Sequence, residues 1–175
     1  MITKNLHVTI YNATSIDGFI ATKNDNTDWV SDTDWEIFQN LTKQHDVVIM
    51  GRRTYETVLD DFPFNCKLNI VLTNQKQLLK KENNIWFTNK KPAKILHEIE
   101  KNGFKTCLII GGGKTNASFL EANLVDEVIV DIHPIILGGG IKLFETNKQL
   151  QYRLKLIESK QIKNGLCLNK YLVKY

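Results

Sequence analysis

The run Val47-Val48-Ile49-Met50, followed at once by Gly51-Arg52-Arg53, restricts the possible folds more than any other stretch of the chain. Four consecutive bulky apolar residues are too few for a helix and do not alternate, which suits a strand buried on both faces of a parallel sheet. After Gly51 the apolar positions fall at Tyr55, Val58 and Leu59. That i, i+3, i+4 spacing predicts a short helix from Thr54, packed back on the strand. The same order recurs further on, where a buried strand over residues 106–110 runs into Gly111-Gly112-Gly113 and a helix over 114–123 carries Ala117, Leu120 and Leu124 on one side. Strands that alternate with helical patterns imply crossover connections and an α/β fold.

Both junctions carry chemistry. Free backbone amides at a helix start, with Arg52 and Arg53 beside them, make a site for anionic oxygens, most economically phosphate. An ordinary strand-to-helix turn with two solvated arginines fits the same residues. Three glycines let a ligand approach the backbone closely and leave the next helix's amides available to a pyrophosphate. A glycine-rich turn without a ligand would read identically, and the dinucleotide-binding G-x-G-x-x-G pattern is absent.

The remaining chain fills in a sheet and its covering helices. Residues 6–13 form an opening strand, Asp17-Gly18 a turn, residues 19–21 a brief apolar return and residues 22–28 a polar loop ending at Trp29. Ser31 and Thr33 are both competent N-caps, and Thr33-x-x-Glu36 fits a capping box, so a helix is expected from here to about His45. Its apolar stripe is Ile37, Phe38, Leu41 and His45, and Asp34 lies on that stripe three and four positions before Ile37 and Phe38. A carboxylate turned to a buried side has its pKa raised by desolvation, which yields a proton donor near neutral pH. A wet first-turn acid interacting with the helix N-terminus is the alternative. A loop over 60–66 precedes a strand over 67–73, which ends in Thr73-Asn74-Gln75, where a strand's carboxyl end could meet a ligand. Residues 85–87 form a strand. Pro92, Ile95, Leu96 and Ile99 keep helical spacing, with Gly103 as C-cap. A strand over 125–133 leads to the corner Gly138-Gly139-Gly140, and strands over 152–159 and 166–175 flank Asn164-Gly165, a hairpin signal.

Composition narrows the function classes. With 175 residues, 42% of them hydrophobic, the chain suits a single domain over 1–175 with a real core. A net charge of +4 with scattered lysines gives no case for nucleic-acid binding. The three cysteines, Cys66, Cys107 and Cys167, contain no CxxC pair, so neither a disulfide framework nor a zinc site is indicated and a reducing cytoplasm is the expected location. No stretch reaches 18 apolar residues and no apolar leader is present, so no membrane association is expected. His7, His45, His97 and His133 lie in separate segments without ligand spacing, and no metal is assigned.

Four motifs stand in a shared order: Ala13-Thr14-Ser15-Ile16-Asp17-Gly18-Phe19-Ile20-Ala21, Val48-Ile49-Met50-Gly51-Arg52-Arg53-Thr54-Tyr55-Glu56, Ile109-Ile110-Gly111-Gly112-Gly113, and Pro134-Ile135-Ile136-Leu137-Gly138-Gly139-Gly140 leading to Leu143-Phe144. With them the chain resembles the dihydrofolate reductase superfamily, and is most similar to the C-terminal reductase domain of the riboflavin-pathway deaminase-reductase. The resemblance implies a three-layer α/β sandwich, its central sheet mostly parallel with an antiparallel C-terminal strand and flanking helices. It implies an oxidoreductase that binds NADPH across the carboxyl edge. Gly51, Arg52, Arg53 and Thr54 would hold the diphosphate and 2′-phosphate, with Thr73, Asn74 and Lys114 flanking the adenosine end, and Gly111, Gly112 and Gly113 bringing the backbone to the diphosphate and nicotinamide side.

In dihydrofolate reductases a tryptophan five positions before and a phenylalanine four positions after bracket the single buried acid, and Trp29, Asp34 and Phe38 reproduce that spacing. The resemblance therefore implies that Asp34 assists protonation of a C=N bond while Trp29 and Phe38 pack on the substrate ring, under a lid that begins at Asp17. Lys67 stands where dihydrofolate reductases carry an arginine that grips the folate tail. A lysine lacks the bidentate fork. The expected activity is reduction of a pyrimidine or pteridine heterocycle, with 5-amino-6-(5-phosphoribosylamino)uracil as the named candidate. Dihydrofolate reduction and a catalytically silent nucleotide-binding regulatory domain are the alternatives. A homodimer through the terminal hairpin, with Leu166, Leu168, Leu172 and Val173, is expected.

Overall fold

The computed structural model describes residues 5–175. In chain order the elements are β1 (His7–Ser15), β2 (Phe19–Ala21), α1 (Asp32–Gln44), β3 (Val47–Gly51), α2 (Arg52–Thr57), β4 (Leu68–Leu72), β5 (Lys80–Glu82), β6 (Ile85–Thr88), α3 (Pro92–Lys101), β7 (Thr106–Ile109), α4 (Gly113–Glu121), β8 (Glu127–His133), β9 (Ile141–Lys142), β10 (Arg153–Gln161) and β11 (Cys167–Lys174). Nine strands form one sheet in the order β10-β11-β8-β1-β7-β3-β4-β6-β5. The run from β8 to β6 is parallel, while β11 joins β8 antiparallel and β5 closes the other edge antiparallel. This is the mostly parallel sheet with an antiparallel C-terminal strand that the resemblance implies.

The unalternated strand at the centre is explained by what lies on each side of it. Val47 and Ile49 face a core with Ile95 and Ile99 of α3 and Phe119 and Leu120 of α4. Val48 and Met50 face the opposite core, with Tyr11, Leu108, Ile110 and Phe38 of α1. All four β3 side chains are 0% exposed. Burying each one contributes roughly 1.5–3 kcal/mol, so β3 holds the two helical layers together. Because β1, β7, β3 and β4 run parallel, their carboxyl ends share one edge, where α/β sheets bind ligands.

Several local expectations change. Gly51, with extended backbone, caps α2, so the helix begins at Arg52 and includes both arginines. Leu59 falls beyond it in a short 3-10 turn and is 51% exposed. Ser31, not Thr33, caps α1: its Oγ accepts the Asp34 amide at 3.3 Å. The hairpin turns at Asn164 and Gly165, both at positive φ, as the dipeptide predicts. Leu166 and Leu168 are buried in the chain's own core, whereas Leu154, Leu156 and Ile157 of β10 are exposed. The small sheet of β2 and β9 and the edge strand β5 carry only two or three residues each, too few for a periodic signal.

Candidate active site

A cavity of about 710 Å³ opens at the carboxyl edge of the sheet. One end is built from two helix starts. Neither Gly51, which caps α2, nor Gly112, which caps α4, supplies a side chain to the amides that follow. The Gly51 amide donates to the Gly111 carbonyl at 2.8 Å, which lashes the two junctions together. Space forbids larger residues there. A Cβ on Gly51 would lie 2.7 Å from Thr115 Oγ1, and one on Gly113 would lie 2.2 Å from the Lys142 carbonyl oxygen. Unsatisfied amides at helix N-termini favour phosphate oxygens, so this end fits the diphosphate of a dinucleotide.

The arginines at that end are already engaged. Arg53 forms a fork with Asp25 of the polar loop, Nη2 to Oδ1 at 2.6 Å and Nε to Oδ2 at 3.1 Å, and Arg52 pairs with Glu56 one turn along α2. The pair thereby ties the loop over 22–28 to α2 at the cavity, which Asp25 and Arg53 both line.

At the other end stands Asp34, 5% exposed. The Tyr11 hydroxyl donates to its Oδ1 at 2.5 Å. Burial pushes the Asp34 carboxyl up to about 7, while the Tyr11 hydrogen bond opposes the rise. Burial first, and then the Asp34 charge, push the Tyr11 hydroxyl far above its ordinary value, so it remains a donor. Phe38 stacks against Tyr11 at 6.3 Å and completes an apolar wall beside the carboxyl. Asp34 is therefore a buried acid rather than a wet first-turn residue, because α1 lays that stripe onto the sheet.

Asp34, Phe38, Gly51, Arg52, Arg53, Thr54, Thr73, Asn74, Gly112, Gly113 and Lys114 all line this cavity. Trp29, expected on the substrate ring, is not among the lining residues and stands edge-on to His133 at 5.2 Å. Gly111 lies beneath Gly51, through its carbonyl. Asp17 is exposed and accepts the Leu137 and Gly138 amides at 3.1 and 2.8 Å, so it ties the first turn to the glycine corner. Lys67 is misplaced for substrate. It precedes β4, at the amino edge of the sheet, and pairs with Asp46 at 2.7 Å.

Three neighbours of Asp34 went unread in the sequence: Tyr11, Asp131 and His133. Atoms of Asp34, Asp131 and His133 capable of ligation lie within 4.8 Å of one another, and all three residues are buried. The histidines are thus in separate segments as expected, yet one of them joins the acid. Asp131 and His133 are two apart on one strand and so share a face. A buried acid in a strand was the readable signal.

Residues 6–168 match the family described as the RibD C-terminal domain. The chain is 29% identical over 153 residues to YwjB of Bacillus subtilis (strain 168), a protein of uncharacterised function, covering 83% of this chain and 87% of that one. A crystal structure from Shewanella sp. PV-4, provisionally assigned to riboflavin biosynthesis, superposes with a TM-score of 0.81 at 28% identity, covering 97% of this chain and 100% of that one. Dihydrofolate reductase from Enterococcus faecalis, solved with NADP(H), shares the fold with a TM-score of 0.69 at 16% identity, covering 97% of each chain.

Proposed function

The chain belongs to the RibD C-terminal domain family, and from that premise we propose that it is a single-domain, NADPH-dependent reductase of a pyrimidine-type heterocycle, with 5-amino-6-(5-phosphoribosylamino)uracil as the substrate of choice. The observation that carries the reading is Asp34, a 5%-exposed acid on the wall of the cavity whose other end holds a pair of glycine-capped helix starts. The relative assigned to riboflavin biosynthesis and the fold shared with a nicotinamide-dependent reductase support it.

The residues present fit the cofactor. Gly51, Arg52, Arg53 and Thr54 would hold the diphosphate and 2′-phosphate, Gly112 and Gly113 would admit the backbone approach, and Thr73, Asn74 and Lys114 would flank the adenosine. Arg53, once released from Asp25, is the residue that favours NADPH over NADH. When bound, the cofactor supplies a hydride. The chain supplies the rest. Asp34 holds a proton at neutral pH and gives it to the ring or imine nitrogen that gains electrons. Phe38 packs against the heterocycle, and the loop over 22–28 excludes water.

The dihydrofolate alternative loses support, because Lys67 stands at the wrong edge of the sheet to grip a folate tail. A cytoplasmic homodimer completes the reading, with the contact moved from Leu166 and Leu168 to the exposed β10 residues. The test is a spectrophotometric assay of NADPH oxidation with the ribosylaminouracil phosphate beside dihydrofolate. Turnover with the first and little with the second is expected. Tight NADPH binding without turnover of either would leave the silent regulatory domain.

A further inference from the structure

Asp131 is 0% exposed, and neither of its carboxylate oxygens has a hydrogen-bond donor among the described residues. A buried carboxylate in that condition is costly and asks for a partner. Its nearest chemistry is Asp34. Asp131 lies on β8 directly beside Ala13 of β1, two residues along from Tyr11, and α1 brings Asp34 onto the same face of the sheet. Asp34 lines the cavity while Asp131 lies behind it.

The surroundings decide what holds the two acids together. From β1, Tyr11 donates its hydroxyl to Asp34. From β8, His133 turns Nε2 towards the Ser31 amide, which donates to it at 3.2 Å. That lone pair is therefore already used, which leaves it a poor metal ligand. From β11, Lys170 is held by Glu158 at 2.7 Å, and from α1, Asp32 faces the cavity. Among the described residues no lysine or arginine is ion-paired with either acid. Two carboxyls at close range without a cation cannot both ionise cheaply, and sharing one proton resolves the cost.

Resting on the reductase reading above, we propose that Asp131 is a positioning residue for Asp34: the two carboxyls form a buried pair that holds one proton between them, and Asp131 is what keeps Asp34 loaded with it at neutral pH. The Asp131 charge pushes the Asp34 carboxyl upward, after burial, and burial raises Asp131 itself, with His133 opposing that rise. When Asp34 gives up its proton, its O–H bond breaks and the substrate N–H bond forms. Two adjacent carboxylates are then left, so Asp34 recovers a proton from solvent through the cavity before the next turnover.

Infrared titration of the ligand-free protein tests the pair, because a protonated buried carboxyl has a carbonyl band distinct from a carboxylate. The wild type is expected to lose this band near pH 7. In Asp131→Asn the midpoint falls by about one pH unit or more, since the like charge is gone and an amide donor replaces it. Asp131→Ser gives the same direction should the first variant fold poorly, and Asp34→Asn moves the surviving Asp131 band acidward. The falling upper limb of the kcat/KM profile moves with the Asp131 variants, while the low-pH plateau of kcat holds. An unchanged midpoint in the single variants overturns the pair. So does about one equivalent of divalent metal in the purified protein, measured by mass spectrometry and lost in Asp131→Asn. The titration needs neither cofactor nor substrate. A shifted midpoint without NADPH oxidation therefore supports the pair and removes the reductase reading.

Discussion

Asp34 costs the fold something that its chemistry requires. A carboxyl at about 7 in the native protein binds a proton more tightly than the same group at 3.8 in the unfolded chain. Its contribution to stability is thus fully present below pH 3.8 and is lost as the pH rises through about 7, by roughly 1.4 kcal/mol per pH unit in between. Asp34→Asn removes that dependence. Urea unfolding at a series of pH values is expected to show the variant gaining on the wild type from about pH 4 to about pH 7, and parallel curves would refute the raised carboxyl. The apolar stripe of α1 made this burial legible, since Ile37 and Phe38 lie one turn from Asp34. Asp131, His133 and Tyr11 were not legible as its neighbours. They come from strands far away in the chain, and only the docking of α1 on β1 and β8 brings them together.

The helix starts and the polar loop act as units. Gly113 packs so closely on the chain before β10 that an added Cβ would meet the Lys142 carbonyl oxygen at 2.2 Å and Glu145 Cβ at 3.0 Å. Gly113→Ala should destabilise by about 1–3 kcal/mol through overpacking, read as a lower melting temperature, with weaker NADPH binding. An unchanged melting temperature would contradict the packing. The Asp25–Arg53 fork is a half-exposed ion pair, 35% exposed at Asp25 and 53% at Arg53, and is worth at most about 1 kcal/mol. Asp25→Ala frees Arg53, so NADPH affinity should rise up to about fivefold with NADH unchanged. Equal gains for both cofactors in a fluorescence titration would sever Arg53 from the 2′-phosphate. The glycine junctions were visible because glycine punctuates a strand-to-helix step. Their exact helix starts were less so: Gly51 took the cap that spacing placed near Thr54, and of the two candidates Ser31 and Thr33 it is Ser31 that caps α1, because cap geometry depends on the backbone that enters the helix.

At the scale of the molecule, parallel strands with unalternated apolar runs declared the sheet, and the order of four motifs declared its connectivity. The small sheet of β2 and β9 escaped notice, although it ties the first turn to the glycine corner, because pairs so short form only where tertiary contacts hold them. The C-terminal hairpin is antiparallel as expected, but of the residues expected at a dimer contact Leu172 is exposed whereas Leu166 and Leu168 are not. Leu166 and Leu168 pack against the chain's own core, while Leu154, Leu156 and Ile157 remain exposed on the edge strand. A contiguous apolar edge of this kind suits a second copy of the chain. Light scattering is expected to give a dimer that Leu156→Lys converts to a monomer, and a monomeric wild type at micromolar concentration would withdraw the assembly.

In the proposed reaction Asp34 delivers the proton and NADPH the hydride. This is tested most directly by the pH dependence of kcat/KM for NADPH oxidation with 5-amino-6-(5-phosphoribosylamino)uracil, measured for the wild type and Asp34→Asn. Wild-type activity is expected to fall as the pH rises through about 7, and the variant to be slower by at least about a hundredfold with that limb gone. A variant that turns over as fast as the wild type across the same range would contradict it.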